Sequence, residues 1–154
     1  MKGRIVVTLF ALPFFAVGVW MLWSVSSSFH DAWRMQDWVQ VEAQLIRGGY
    51  TTNSGSDSDT YEAYAEYSYT LGGERYVGER VSLSDGGDNI GDYQIDMGRR
   101  LQNIVASGKT IVVYADPEAP HNSIIDRNLR WGLIGFKFIF LLVFGGVGLG
   151  LLIF

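Results

Sequence analysis

The stretch YEAYAEYSYTLGGERYVGERV, residues 61–81, determines how the centre of this chain folds. Side chains at every second position of a strand share one face, and here that face carries Ala63, Ala65, Tyr67, Tyr69 and Leu71. The Gly-Gly pair at 72–73 follows directly, and glycine reaches the positive φ angles that tight hairpin turns need. The stretch therefore predicts a β-hairpin with an aromatic face.

Two registers of this hairpin are consistent with the residues. A two-residue loop pairs Tyr69 with Tyr76, but it also places Glu66 opposite Glu79, and directly opposed like charges are destabilising. A four-residue loop over 72–75 shifts the pairing and removes that repulsion. Both registers keep Tyr67, Tyr69 and Tyr76 on one face.

The tyrosines are either the wall of a small sheet or a surface on which a ligand stacks. Aromatic cross-strand pairs contribute roughly 0.2 to 1 kcal/mol each, which is sufficient reason for them in a sheet with a small core. The structural interpretation is favoured, and Tyr64, Tyr67, Tyr69 and Tyr76 are kept as candidate interaction residues.

Upstream of the hairpin, residues 38–46 alternate apolar and polar side chains, and this period of two predicts a strand with one buried face. Residues 47–60 are rich in Gly, Ser, Asn and Asp and have no apolar rhythm, so they are predicted to form a flexible loop.

Downstream, an amphipathic helix is predicted between Asp92, which can cap its start, and Gly108, which can close its end. The apolar residues at helical spacing are Tyr93, Met97, Leu101, Ile104 and Val105. Residues 110–114 predict a last strand, and Pro117 and Pro120 are expected to stop further strand pairing.

Both ends of the 154-residue chain are apolar. Residues 5–25 carry no charge, and neither do residues 138–154, which the stretch 131–137 extends. Because a helix needs roughly 20 apolar residues to cross a bilayer, the sequence predicts two membrane spans. A cleaved signal peptide is the alternative for the first span, but such apolar regions are usually only about 7 to 15 residues long.

The predicted fold class is a membrane α+β protein, in which two transmembrane helices flank a small antiparallel β-sheet domain with one amphipathic helix. The domain bounds are 1–28 for the N-terminal transmembrane helix, 29–130 for the β-rich domain and 131–154 for the C-terminal transmembrane helix. Lys2 and Arg4 favour a cytoplasmic N-terminus, which makes the middle domain periplasmic or extracellular and returns the C-terminus to the cytoplasm of a bacterial inner membrane.

The second span contains three residues of interest. Lys137 is close enough to the end of the span for its stem to reach the headgroups. Gly146 and Gly150 form a G-x-x-x-G step, where missing side chains let another helix approach. The expected partner of this step is the first span of the same chain, and a homo-oligomer through the second span is the alternative.

The middle domain resembles a known family. The resemblance is carried by Trp38, Val41 and Ala43, by the hairpin with Gly72-Gly73, Tyr76 and Gly78, and by VVYADPEAPHNSII at 112–125. Its most specific part is the Tyr-x-x-Pro-x-x-Pro run at Tyr114, Pro117 and Pro120. Over residues 38–127 the chain is similar to the family called domain of unknown function 3592. The resemblance implies a small β domain beside membrane helices in a bacterial protein, and it implies no catalytic residues.

Few residues suit catalysis or metal binding. The chain has no cysteine, and its two histidines are His30 and His121, which lie near the predicted membrane spans. Nothing near them supplies the three or four ligands of a zinc site. We therefore expect no catalytic residues, no metal and no cofactor.

Two acidic clusters, Asp57, Asp59 and Glu62 and then Asp85, Asp88 and Asp92, lack the spacing of an EF-hand and are interpreted as solvated loops. Sixteen acidic and nine basic residues lie between the predicted spans, and the resulting formal charge of −7 argues against nucleic-acid binding.

The leading hypothesis is a non-catalytic two-pass membrane protein whose extracytoplasmic β domain is a protein-interaction module. Its expected partners are the lipid bilayer and another membrane or envelope protein. The first alternative is an accessory subunit of a membrane complex, or an immunity protein against a membrane-acting toxin. The second is a metal-dependent or hydrolytic enzyme.

Overall fold

The computed structural model describes the backbone of residues 2–84 and 86–153, and side chains within those ranges from residue 7 onward. The chain divides into two compact units. One combines Met1–His30 with Leu129–Phe154, and the other is Asp31–Asn128.

The first unit is helical. Helix α1 is Lys2–Arg34, helix α3 is Trp131–Phe140 and helix α4 is Gly146–Ile153, and a π-helical turn, Leu141–Gly145, joins the last two. Two helical segments, Val7–Asp37 and Trp131–Ile153, are long and apolar enough to cross a membrane. Pro13 lies inside α1 without ending it, as transmembrane helices tolerate. The predicted pair of spans is consistent with this structure.

The second unit is a five-stranded antiparallel sheet with one helix. The strands are β1 (Val39–Ser54), β2 (Asp59–Leu71), β3 (Glu74–Gly78), β4 (Thr110–Ala115) and β5 (Ser123–Ile124), and helix α2 is Tyr93–Ser107. Their order across the sheet is β3-β2-β1-β4-β5. The long strands β1 and β2 lie at the centre of the sheet, and every pairing is antiparallel. The predicted membrane α+β class is confirmed.

One face of the sheet packs beneath α2 and forms the core. Its buried side chains are Ala43, Leu45, Ala63, Ala65, Tyr67, Tyr69, Val81, Met97, Leu101, Ile111, Val113, Ala115 and Ile125. The core includes each predicted tyrosine-face residue of β2 from 63 to 69. The period of two in the opening stretch therefore selected the buried face correctly.

The predicted loop over 47–60 is wrong. Strand β1 continues to Ser54 and β2 begins at Asp59, so the turn between them is limited to residues 55–58. A β-bulge between Leu45 and Arg47 explains the error. The extra residue reverses which positions face α2, and Gly48 comes so close that an added Cβ would lie 2.9 Å from Leu101 Cβ. The alternation of apolar and polar residues stops at the bulge, and residues 47–54 of β1 are mostly polar. The sequence pattern therefore did not indicate that the strand continues.

The two-residue register of the second hairpin is confirmed. Tyr69 pairs with Tyr76 and Tyr67 pairs with Gly78, and Gly72 and Gly73 both have positive φ. The expected clash with Glu79 is avoided because β3 ends at Gly78. Glu66 instead forms an ion pair with Arg47, which lies opposite it on β1, with 2.6 Å between Arg47 Nη2 and Glu66 Oε2.

Helix α2 ends as predicted, at Gly108 in the left-handed conformation. Asp92 occupies the N-cap position, but its side chain makes no capping hydrogen bond. The prediction that Pro117 and Pro120 end strand pairing is wrong, since β5 follows them. The prolines occur in the turn between the strands, where Asp116 N–H donates to Asn122 O, and that turn returns the chain to β4.

Candidate functional site

The tyrosine face is largely engaged in contacts within the domain. Tyr67 is fully buried, and its hydroxyl lies 3.2 Å from Arg80 O and 3.1 Å from Ser123 Oγ. The Tyr69 hydroxyl donates to the carbonyl of Pro120, and its ring stacks on Tyr76 with centroids 5.8 Å apart. These contacts favour a structural role for all three rings.

Burial and hydrogen bonding raise the pKa of two of these hydroxyls. Burial raises the pKa of Tyr67 far above its ordinary value, against a smaller lowering by the hydrogen bond to Ser123. The pKa of Tyr76 is raised chiefly because its hydroxyl donates to Glu74 Oε2 at 2.9 Å. Tyr64 differs from the other three candidates, because it points to the opposite face and is 42% exposed.

The expected role of the G-x-x-x-G step is wrong within the first unit. An added Cβ at Gly146 or Gly150 would meet no atom within 4 Å among the described residues. The close approach occurs instead at neighbouring positions. A Cβ on Gly18 would lie 2.5 Å from Gly145 Cα, and one on Gly148 would lie 2.5 Å from Phe15 N. The π-helical turn, Leu141–Gly145, includes Gly145 of this contact, and such a turn takes about one residue more than an α-helical turn.

Lys137 has a protein partner in addition to its predicted reach toward the headgroups. Its Nζ donates to Ser24 Oγ at 2.9 Å, which links α3 to α1. A lysine beside a serine resembles a catalytic dyad, but Ser24 lies inside a continuous helix whose backbone N–H groups are already hydrogen-bonded. Because those groups cannot serve as an oxyanion hole, we interpret the contact as a polar link between the helices.

The outer edge of β2 is covered unevenly, and this is the feature that we identify as the candidate site. Strand β3 pairs only with the stretch 67–71 of β2, whereas β1 pairs with β2 from Asp59 to Tyr69. At the other end, Tyr61 exchanges two backbone hydrogen bonds of 3.0 Å with Asp88. Residues 62–66 thus form an open edge between two closed ends, which we call the β2 edge.

Strand β3 ends at Gly78, where the space is tight. An added Cβ there would clash with Ser123 Oγ and lie 2.6 Å from the Tyr67 ring, so only glycine fits between them. Beyond this point the chain leaves β2 and pairs elsewhere: Ile125 N–H donates to Arg80 O and Asp126 N–H donates to Val81 O. The β2 edge, residues 62–66, therefore lies where β2 would pair with β3 if β3 continued past Gly78.

Gln94 of α2 substitutes for a missing strand at one position of this edge. Its Oε1 accepts a hydrogen bond of 2.9 Å from Ala63 N–H, and its Nε2 donates to Asp88 Oδ2 at 2.8 Å and to Gly86 O at 3.3 Å. The side chain is buried, at 4% exposure. A side-chain amide carries the same donor and acceptor types as a peptide group, which makes it a suitable substitute.

A cavity of about 320 Å³ lies along the β2 edge. Its charged lining residues are Arg47, Glu62, Glu66, Glu79 and Arg80, and its polar ones include Ser82, Ser84 and Gln94. Arg80 is held by Asp31 at 2.9 Å and by the carbonyls of Ser82 and Leu83. The volume is at the lower end of the range for ligand sites.

The histidines and acidic clusters do not form a centre in the described part of the chain. Among those residues, no group of three or more His, Asp or Glu side chains is arranged to hold a metal ion. His30 belongs to the helical unit, and His121 lines a second cavity of about 320 Å³ in the β unit. Asp88 accepts hydrogen bonds from Ile90 N–H and from Gln94. Asp85 lies outside the described residues.

The β2 edge was missed by the sequence prediction. One signal for it was present, because the repulsion expected between Glu66 and Glu79 is relieved if pairing stops before 79. After that stop, residues 80–81 pair with residues 125–126, forty-five positions downstream, and no local pattern encodes that pairing.

The family resemblance is supported by a match, and the structure explains its most specific motif. The Arg127 guanidinium lies over the Tyr114 ring, 4.0 Å from its centroid. The carbonyl oxygen of Pro120 accepts a hydrogen bond from the Tyr69 hydroxyl. The model of the family described as "Domain of unknown function (DUF3592)" matches residues 41–130. No curated protein matches the chain. Since the matched region is more than half of the 154 residues, the chain belongs to the DUF3592 family.

Proposed function

We propose that this chain is a non-catalytic, two-pass protein of a bacterial inner membrane, and that its β domain is extracytoplasmic and binds another membrane or envelope protein. The observation that supports an interaction role is the β2 edge. Unpaired strand edges are sites where a second chain can add hydrogen bonds, so proteins normally cover them. Among the described residues, the stretch 62–66 at the centre of the thirteen-residue strand β2 pairs with β1 on one side and with no strand on the other.

Photo-cross-linking in cells tests the interaction. A photoreactive phenylalanine analogue replaces Tyr64, which lines the cavity and is exposed. The matched control places it at Val112, which is 49% exposed on β4. We expect a cross-linked protein, identified by mass spectrometry, at position 64 and not at 112. If the photoreactive group gives no specific cross-linked protein at position 64 or at other exposed positions of the β domain, the proposed interaction role is contradicted.

Protease accessibility tests the orientation. The turn over 55–58 is exposed and is a suitable site for cleavage. Two positive residues, Lys2 and Arg4, precede the first span and favour a cytoplasmic N-terminus. We expect protease to cut the β domain in intact spheroplasts. Protection in spheroplasts together with cleavage in inverted vesicles would reverse the orientation.

The accessory-subunit or immunity-protein alternative assigns the contact to the spans. The open positions at Gly146 and Gly150 leave room for another helix. A photoreactive group at Val147, between them, then captures the partner while one at Tyr64 does not. That result would replace the β domain by the second span as the binding element.

A further inference from the structure

We infer that the β2 edge binds an extended peptide segment that alternates small apolar and basic side chains, and that this segment joins the sheet as a short additional strand. The inference rests on the proposed function, because it specifies the chemistry of the partner at the same site.

The backbone of β2 presents free hydrogen-bonding directions at this edge. Tyr61 and Tyr67 pair outward, with Asp88 and Gly78 respectively. Because outward groups recur at every second residue of a strand, the N–H and C=O of Ala65 point to the same side. Ala63 N–H is satisfied by Gln94, whereas Ala65 lines the cavity. An extended chain supplies the complementary donor and acceptor, as in strand addition to other sheet edges.

The buried face of the edge selects small apolar side chains. Ala63 and Ala65 are 9% and 6% exposed, and Val81, which also lines the cavity, is 7% exposed. All three belong to the core beneath α2. A side chain of the bound peptide that points to this face would lie beside the methyl groups of Ala63 and Ala65. Alanine or valine fits there, and a large or charged side chain would be buried without a partner.

The other face selects basic side chains. Glu62 and Glu66 lie on it because they alternate with the alanines, and Glu79 lines the same cavity. Glu66 is paired with Arg47, and Arg80 is paired with Asp31. No ion pair of Glu62 or Glu79 occurs among the residues that the structure describes. The cavity therefore has an excess of negative charge, and a lysine or arginine on the incoming segment complements it.

Peptide binding to the full chain in detergent micelles tests the inference. The probe is fluorescently labelled acetyl-Lys-Ala-Lys-Ala-Lys-amide, with acetyl-Glu-Ala-Glu-Ala-Glu-amide as the matched control, and the measurement is fluorescence anisotropy. We expect saturable binding of the lysine peptide that weakens with added salt. Equal binding of both peptides, or no saturable binding of the lysine peptide, would overturn the inference.

N-methylation of the probe tests whether its backbone is recognised. Two versions are made, one methylated on the lysine amides and the other on the alanine amides. Since alternate N–H groups of a strand point to opposite sides, one pattern blocks the hydrogen bonds to β2 and the other does not. We expect one version to lose binding and the other to retain it. Equal behaviour of the two versions would exclude strand addition.

Variants of the chain locate the site. Ala65→Pro removes the outward N–H while the N–H groups that face β1 remain, and we expect the Kd of the lysine peptide to rise by at least about tenfold. Glu62→Gln and Glu79→Gln keep the shape, and each should raise Kd about two- to fivefold. Glu118→Gln, on an exposed turn outside the cavity, is the charge control and should change nothing. An equal effect of Glu118→Gln would overturn the site assignment.

The failure of this inference can be distinguished from failure of the proposed function. A cross-linked partner protein whose capture is unaffected by Ala65→Pro leaves the interaction role in place and overturns strand addition. A dimer of the chain that Ala65→Pro dissociates, measured by light scattering in detergent, assigns the edge to a second copy and also overturns the inference.

Discussion

Two stretches of β2, residues 67–71 (the closed end) and residues 62–66 (the open end), share one strand and one alternation of side chains, yet within the part of the chain that the structure describes only the first has a strand on its outer side. From Tyr67 to Leu71 the outer edge is paired with β3, and large rings fill the face beneath α2. From residue 62 to 66 the edge faces a cavity, the core side chains are alanines, and a glutamine of α2 occupies one hydrogen-bonding position. Packing of the rings of Tyr67 and Tyr69 stabilises the closed end, whereas the hydrogen bond from Ala63 N–H to Gln94 stabilises the open end.

The largest effect is expected at the closed end. Tyr67→Ala removes a fully buried ring, and deletions of buried aromatic side chains cost about 3 to 5 kcal/mol in free energy of unfolding. The control is Tyr64→Ala on the exposed face of the open end, where a change within about 0.5 kcal/mol is expected. Chemical denaturation of the two variants measures both. Similar losses at the two positions would remove the distinction between the ends.

A smaller effect is expected at the open end from Gln94→Leu. The substitution leaves the buried Ala63 N–H without its acceptor, and an unsatisfied buried group costs about 1 to 3 kcal/mol. Gln102→Leu on the exposed surface of the same helix is the matched control. Faster hydrogen exchange at Ala63 in the Gln94 variant, measured by NMR, would show that the glutamine protects this edge. Unchanged exchange there would contradict that role.

The raised pKa of Tyr67 predicts that the closed end is sensitive to alkali. The unfolded tyrosine ionises near pH 10.0, whereas the folded one retains its proton. The folded state thus binds more protons above pH 10, and stability falls as the pH rises beyond that value. Tyr67→Phe cannot ionise, so its stability should decline less steeply above pH 10. The variant also loses two hydrogen bonds, at a cost of roughly 1 kcal/mol each at neutral pH.

The smallest effect concerns the ion pair beside the open end. Arg47 is mostly exposed, at 68%, and such pairs contribute about 0.2 to 1 kcal/mol. Arg47→Gln should therefore lower stability within that range, and high salt should reduce the difference from the parent chain. Thermal unfolding at low and high salt measures it. A loss that persists unchanged in salt would point to packing by the arginine stem instead.

Local sequence patterns predicted the closed end of β2 and did not predict the open one. The spans, the aromatic face, the hairpin register among two alternatives and helix α2 follow from local periodicity and from glycine positions. The second half of β1 was missed because the bulge at Ile46 interrupts the alternation. Strand β5 has only two residues, and its pairing depends on a turn that contains both prolines.

The candidate site was beyond local patterns for a related reason. The β2 edge is open because residues 80–81 pair through their backbone with residues 125–126 instead of continuing beside β2. These contacts join residues far apart in the chain. The four candidate tyrosines could be placed on their faces from the sequence, but the sequence did not indicate that the described residues supply no strand on the outer side of Tyr64.

The bulge at Ile46 makes one continuous strand serve two surfaces. Before it, odd-numbered residues such as Ala43 and Leu45 point inward, and after it, Gly48 and Tyr50 contact α2, with Gly98 opposite Tyr50. If all residues were kept but alternated strictly past Leu45, Arg47 and Gly49 would point toward the helix in place of Gly48 and Tyr50. The extra residue at Ile46 is thus what brings the small Gly48 under Leu101 and keeps the charge of Arg47 in solvent.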